Sequence, residues 1–210
     1  FDIRFYTTGV NVLIFAVLVQ NLNIVWSAEY DGNTYNDYST DLKLDSNGNI
    51  YVCGTTEKSN NGKDFLLIKY DGLGNEIWHK TRRADNLIGE AIAKKISINQ
   101  NDEIIVAGET TDGNSTSAIV IKYNNQGEKT WETKPTVINT LDAVEKINGV
   151  YIDNNEVYLG REIFENGNKE VELIDSIICS NESNRTTSAL VSQTPTAKQI
   201  VRPDPFPVSL

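Results

Sequence analysis

Close pairs of acidic residues are the first candidates for chemistry in this sequence. Asp37 stands four residues before Asp41, and Asp142 stands three residues before Glu145. Two carboxylates that converge in a cleft can bind a cation or a sugar, or act as an acid–base pair. Solvated loop charges have the same spacing, and we favour that interpretation. The sequence therefore assigns no catalytic residue.

The remaining reactive side chains form no recognisable constellation. His79 is the single histidine, and it follows a tryptophan on a segment that we expect to be an outer, solvent-facing strand, so a triad using it is disfavoured. The only cysteines, Cys53 and Cys179, lack CxxC spacing, which argues against a zinc site. We interpret Cys53 as a small buried apolar side chain, with a disulfide to Cys179 as the alternative. We expect no cofactor and no metal.

Glycine-rich stretches also fail to match known binding loops. The segment DSNGN at 45–49 has the oxygen-rich look of a calcium loop, but its glycine is fourth instead of sixth and no glutamate follows at the twelfth position. A hairpin turn explains it better. No GxGxxG or P-loop spacing occurs, so nucleotide binding has no support.

Composition limits the partners of the chain. Its 210 residues are 39% hydrophobic, enough for a domain with a sizeable core. Nineteen basic residues against 29 acidic ones give a formal net charge of -10. Such a charge repels phosphate backbones and anionic lipid, so we exclude nucleic acid as a partner.

An internal repeat dominates the middle of the chain. The three tryptophans, Trp26, Trp78 and Trp131, are separated by 52 and then 53 residues. DFLLIKYDGLGNEIW at 64–78 returns as SAIVIKYNNQGEKTW at 117–131. Three glycines mark the same position of successive copies: Gly54, Gly108 and Gly160. A period near 50 residues is typical of propellers, solenoids and other repeat architectures.

Each period contains four predicted strands, which in the first copy cover residues 40–45, 49–56, 64–71 and 76–83. Their connections are rich in Asn, Asp and Gly, which favour tight hairpin turns and hence an antiparallel meander. FLLIKY and AIVIKY are apolar at successive positions, as expected of strands covered on both faces. A four-stranded meander repeated in tandem is a β-propeller blade.

These motifs resemble a known family. The pattern W…YDG…LDSNGNIYVCGTT…DFLLIKYDGLGNEIW is similar to SBBP repeats, the seven-bladed β-propeller repeats of exported bacterial proteins, over roughly residues 25–175. The third copy, VYIDNNEVYLGREI, is one residue short near Gly160 and lacks IKY. The resemblance implies a secreted or surface-attached propeller, usually within a longer chain, with no shared catalytic motif.

The two ends differ from the repeats. Residues 1–22 contain GVNVLIFAVLV, which is too short to span a bilayer and suits a secretory signal, with a buried strand as the alternative. Residues 176–210 are rich in Pro, Ser and Thr and predict a tail or linker. A sorting segment or a misread frame stays open there. Because the chain begins at Phe1 and has no methionine, we interpret it as a fragment.

The expected architecture is all-β, with about three propeller blades in an open arc. The repeat region covers residues 23–175, with units of about 26–78, 79–131 and 132–175. Residues 26–30 should form a fourth strand that lacks the inner strands of its own blade.

The expected function is a non-enzymatic binding or adhesion scaffold, exported or at the cell surface. Its ligand is an unknown protein or glycan, and the mature chain has no membrane span. The alternative is part of a propeller hydrolase or lyase with an acidic site on the axis.

Overall fold

The chain is built from β-strands. The computed structural model describes residues 2–4, 16–20, 23–32, 36–58, 62–84, 89–111, 115–135, 144–153, 156–165 and 168–178. Over these residues it has fourteen strands, β1 to β14, and the sheets are antiparallel meanders. Within the same ranges there is no helix of the length and apolarity needed to cross a membrane.

The first three strands form a sheet of their own, in the order β1-β2-β3: β1 (Asp2–Arg4), β2 (Ala16–Gln20) and β3 (Asn23–Ala28). The expectation that the strand of Trp26 lacks inner neighbours is wrong, because β2 pairs with β3 and β1 pairs with β2. The described parts of residues 1–22, at 2–4 and 16–20, are thus strands. Its action as an export signal stays a prediction.

Two complete four-stranded units follow. Unit 1 has the order β4-β5-β6-β7, and unit 2 repeats it with β8, β9, β10 and β11. Their bounds are β4 (Asp37–Leu44), β5 (Ile50–Glu57), β6 (Lys63–Tyr70), β7 (Glu76–Arg82), β8 (Ala91–Ile98), β9 (Ile104–Thr111), β10 (Thr116–Tyr123) and β11 (Lys129–Thr133). All four strands predicted in the first copy are present, within a few residues of their predicted ends.

Unit 3 contains β12 (Val144–Asp153), β13 (Glu156–Glu165) and β14 (Asn168–Ile178), in that order. One parallel bridge, Thr116 to Val144, connects it with unit 2, and Lys63 to Glu90 is the matching bridge between units 1 and 2. The first strand of each unit contacts the first strand of the next, β4 with β8 and β8 with β12. The first strands therefore form the inner edge of the arc.

The core lies between the sheets, in three layers. Ala28 and Tyr30 cover one face of unit 1, over Val52, Leu66 and Ile68. The other face of unit 1 packs on unit 2, and the second face of unit 2 packs on unit 3. The continuous apolar runs of β6 and β10 are thus buried on both faces, as their sequences predict.

The arc is open. In the described ranges β3 pairs only with β2, and β14 pairs only with β13, so no ladder connects the first sheet with the last. The fold is all-β and consists of β-propeller blades arranged as an open fragment.

Candidate functional site

The repeat tryptophans lie on the last strand of each sheet, Trp26 in β3, Trp78 in β7 and Trp131 in β11. Trp26 donates its Nε1–H to the Gly72 carbonyl at 3.2 Å. Trp78 donates in the same way to the Asn125 carbonyl at 3.4 Å. Each of these two indoles therefore packs on the hairpin turn that precedes the last strand of the next unit.

Two of the repeat glycines face a bulge. In the ladder between β4 and β5, one residue of β4 is skipped beside Gly54. In the ladder between β8 and β9, one residue of β8 is skipped beside Gly108. A Cβ at Gly54 would collide with the Tyr38 carbonyl, and one at Gly108 with the Ile92 carbonyl. The two glycines allow the bulged first strand to approach closely.

Gly160 occupies a different place in its unit. A Cβ added there would come no closer than 3.8 Å to the Gly149 amide nitrogen. In unit 2, Gly108 is opposite Ala93, the residue just before the bulge of β8. In unit 3, the residue opposite Ile147, just before the bulge of β12, is Arg161. The structural counterpart of Gly54 and Gly108 in unit 3 is therefore Arg161.

The carboxylates of the first candidate pair have separate structural partners. Asp37 is buried and accepts a hydrogen bond from the Gly32 amide on Oδ2 at 2.8 Å. Burial raises the pKa of Asp37, and the hydrogen bond from the Gly32 amide opposes that shift. Asp41 accepts hydrogen bonds from the amides of Leu42 and Ile96 on its two oxygens.

The second candidate pair is not brought together in the described structure, because Asp142 lies outside the described residues. Glu145 is buried on β12, where its Oε2 accepts a 2.7 Å hydrogen bond from the Ala118 amide. The same oxygen lies 3.1 Å from Arg161 Nη1. Glu145 therefore connects unit 3 with unit 2.

His79 and Cys53 are not placed for nucleophilic catalysis. His79 is on β7, with Nδ1 2.8 Å from Glu76 Oε1 and its ring edge-on to Tyr30. Cys53 is a buried free thiol, and burial raises its pKa to about 12. Cys179 is outside the described residues. Within the described ranges, His, Cys, Asp and Glu side chains form no group of three or more that could hold a metal.

The 45–49 segment is a turn closed by its own first side chain. Asp45 Oδ1 accepts hydrogen bonds from the amides of Asn47 and Asn49, both at 2.9 Å. Burial alone would raise the pKa of Asp45, but hydrogen bonds from Asn49 and Asn47 and the nearby Lys69 ammonium lower it. The carboxylate oxygens are thus used by protein donors, as the hairpin interpretation requires.

The lysine of each IKY motif was not singled out in the sequence, yet both are buried and paired with a carboxylate, and Lys69 also connects two units. Lys69 Nζ lies 3.6 Å from Asp45 Oδ2 and donates to the Asn125 carbonyl of unit 2 at 3.3 Å. In unit 2, Lys122 Nζ lies 2.8 Å from Glu103 Oε1. Each of these two lysines is a charged residue inside an apolar strand, and that pattern could have identified them from the sequence.

The inner edge is the remaining candidate surface, and its three strands carry four lysines and four acidic residues, whereas the chain as a whole is acidic. Its strands carry Lys43, Lys94, Lys95 and Lys146. Lys43 lies 3.8 Å from Asp41 Oδ1, and Lys94 lies 3.5 Å from Glu109 Oε2. The described part of this edge therefore offers paired charges and lysines rather than a cluster of free carboxylates.

A family match supports the β-propeller repeat that the sequence predicts. The SBBP family, described as a β-propeller repeat, matches residues 25–61, which confirms the resemblance drawn from the sequence over that segment. No curated protein matches the chain. An α-L-arabinanase of Penicillium chrysogenum, solved in complex with arabinobiose, is similar at 12% identity and a TM-score of 0.48, over 77% of this chain and 53% of that one. The chain spans about half the length of that enzyme. Residues 25–61 therefore match the SBBP β-propeller repeat family, in a chain whose described strands form propeller blades.

Proposed function

We propose that this chain is a non-enzymatic β-propeller module of an exported bacterial protein and acts as a binding or adhesion scaffold. The observation that carries the proposal is how the structure uses two of the four candidate carboxylates, Asp41 and Glu145. Asp41 is held by main-chain amides and Glu145 by Arg161 and a main-chain amide. Groups fixed in this way stabilise contacts between units and are poorly suited to exchange protons with a substrate.

The ligand of this scaffold is proposed to be a glycan or a protein that contacts the inner edge. Lys43 and Lys94 have partly exposed side chains there and can donate several hydrogen bonds each. Repeat proteins commonly present such extended surfaces for binding, while their cores serve only stability.

The test is an array of glycans and purified surface proteins probed with the whole chain, alongside assays for glycoside hydrolysis and elimination. We expect binding without turnover. The double variant Lys43→Gln/Lys94→Gln should weaken binding at least several-fold, while Lys80→Gln on the outer strand β7 should leave it unchanged. If the unmodified chain does turn over a substrate and Asp41→Asn loses that activity, the result would support the alternative, a propeller hydrolase or lyase.

Export and the domain limits belong to the same proposal. We propose residues 1–22 as a signal-like segment, 23–175 as the repeat region and 176–210 as a tail or linker. Residues 1–22 fused to a reporter that is active only outside the cytoplasm should give activity. Leu13→Arg, which puts a charge into the apolar run, should abolish it. A reporter that stays inactive with the native segment would contradict the signal assignment.

A further inference from the structure

At one pair of repeat positions, the two described interfaces between units place the large and the small side chain on opposite sides. In the first interface, Phe65 of β6 in unit 1 lies over Gly108 of β9 in unit 2. A Cβ on Gly108 would be 2.7 Å from both Cε2 and Cζ of the Phe65 ring. The large side chain therefore comes from unit 1, and unit 2 supplies the empty space.

In the second interface the sizes are reversed. Ala118 of unit 2 stands 53 residues after Phe65, and Arg161 of unit 3 stands 53 residues after Gly108. Arg161 is fully buried, and Nη1 donates to the Pro135 carbonyl of unit 2 at 2.7 Å. Here unit 2 supplies the small residue, and the large side chain comes from unit 3.

Glu145 makes this buried arginine tolerable. It lies 3.1 Å from Arg161 Nη1 and accepts the Ala118 amide on the same oxygen. A buried arginine without such partners is strongly destabilising. At the matching place in unit 2, 54 residues earlier, stands Ala91, which is buried in the apolar core between units 1 and 2. The charged pair therefore belongs to the second interface alone.

We propose that this exchange of large and small side chains determines which unit packs on which. Unit 3 placed on unit 1 would bring Arg161 against Phe65, with two large side chains in one space. Unit 2 placed on another copy of unit 2 would leave Gly108 facing Ala118, with a cavity between them. Both errors are costly in a close-packed core. Similar units in tandem are prone to misassembly, so a device that penalises wrong neighbours has a clear use.

Reciprocal rescue tests the packing half of the proposal in the whole chain. Ala118→Phe should lower the Tm by about 5–10 °C because the ring meets Arg161. Glu145→Ala/Arg161→Gly should also lower it, because a cavity opens. The combined variant A118F/E145A/R161G recreates the first interface and should regain most of the loss. If its Tm is no higher than that of the weaker parent, the proposal is overturned.

Val120 provides the matched control. It is buried in the same layer as Ala118, so Val120→Phe also overpacks the interface, although it adds less volume than Ala118→Phe. It is not opposite the glycine position, so V120F/E145A/R161G should show no rescue. Equal rescue at both positions would mean that any added volume suffices and would contradict a position-specific exchange.

Assembly tests the neighbour-selection half. In A118F/E145A/R161G both interfaces have the same type, so unit 3 fits unit 1 and unit 2 fits unit 2 of another molecule. After unfolding and refolding at micromolar concentration, this variant should form several-fold more dimer than the unmodified chain, measured by light scattering after size-exclusion chromatography. A rescued Tm with an unchanged dimer fraction would show that the exchange serves packing without selecting neighbours.

Discussion

Trp78 lies on Gly127 of the following unit: a Cβ on that glycine would be 3.0 Å from both Cδ2 and Cε2 of the indole. Gly127 also has a φ of +76°, a conformation that favours glycine. The turn therefore favours glycine for its backbone conformation and because Trp78, with the flexible end of Lys80 at 2.7 Å, occupies the space of a Cβ. Gly74 and Trp26 repeat the relationship one unit earlier, where a Cβ would be 2.7 Å from Cε3 and 2.8 Å from Cδ2 of the indole.

Replacing Trp78 with alanine should destabilise the chain by about 3 kcal/mol, because the indole leaves an interface that also includes Tyr51. Chemical denaturation followed by circular dichroism measures the change. The neighbouring Ile77 lies on the opposite face of the strand and is 50% exposed. Ile77→Ala is the control and should change the free energy of unfolding by less than about 0.5 kcal/mol.

Gly127→Ala should cost more than Gly48→Ala, although both glycines have positive φ, +76° and +80°. A Cβ on Gly48 meets nothing within 4 Å, so that variant reports the backbone strain alone, about 1 kcal/mol. Gly127→Ala adds a collision with Trp78 and should lose at least about 1 kcal/mol more. Equal losses in the two variants, measured by thermal unfolding, would show that the indole does not hold the turn.

Asp45→Asn should remove stability that depends on pH. The folded pKa of Asp45 lies below its ordinary value of 3.8, so its ionised form contributes stability above about pH 4, which is lost as pH falls through the folded pKa. The variant should lose about 2 kcal/mol at pH 7, because Lys69 loses its partner. It should match the unmodified chain more closely as the pH approaches 2. Tm measured between pH 2 and pH 7 tests this.

The matched control for Asp45→Asn comes from unit 2. There Asn99 closes the same turn and Glu103 supplies the charge for Lys122. The double variant Asp45→Asn/Asn49→Glu copies that arrangement and should restore most of the stability at pH 7. If it restores none, the loss in the single variant comes from the turn rather than from the charge pair.

Asp37→Asn should act in the opposite direction. Because burial raises the folded pKa of Asp37 above 3.8, the stability linked to its protonated form is complete below that pH and is lost as pH rises through the folded pKa. The asparagine variant should therefore be more stable than the unmodified chain at pH 7, and this gain should vanish below pH 4. A variant that is less stable at pH 7 would mean that the ionised carboxylate is needed there.

Cys53 should be inert in the folded chain, since burial raises its pKa to about 12 and little thiolate forms at pH 8. In a Cys179→Ser background, a chromogenic disulfide reagent should react with less than about 1% of the rate seen in denaturant. Rapid labelling under native conditions would contradict the burial of Cys53 in the interface between units 1 and 2.

Short-range patterns determined much of this architecture from the sequence alone. Asx and glycine turns act over five residues, as in the hydrogen bonds from Asn47 and Asn49 to Asp45, so the four strands of unit 1 could be located without any knowledge of their neighbours. The spacing of Trp26, Trp78 and Trp131 indicated the repeat, and Trp26 and Trp78 make the same contact with the turn of the next unit. The burial of Cys53 also followed from its apolar run.

Tertiary structure alone decided the features that depend on partners far along the chain. Whether β1 and β2 pair with the strand of Trp26 depends on a ladder between segments whose apolar composition suits a signal equally well. The bulge of β12 placed Arg161, not Gly160, opposite Ile147, because a shift of one residue in register exchanges the faces of a strand. The roles of Asp41 and Glu145 were fixed by amides 55 and 27 residues away, at Ile96 and Ala118. Their side chains are acidic in any context, but only packing between units determined that they hold neighbouring strands together.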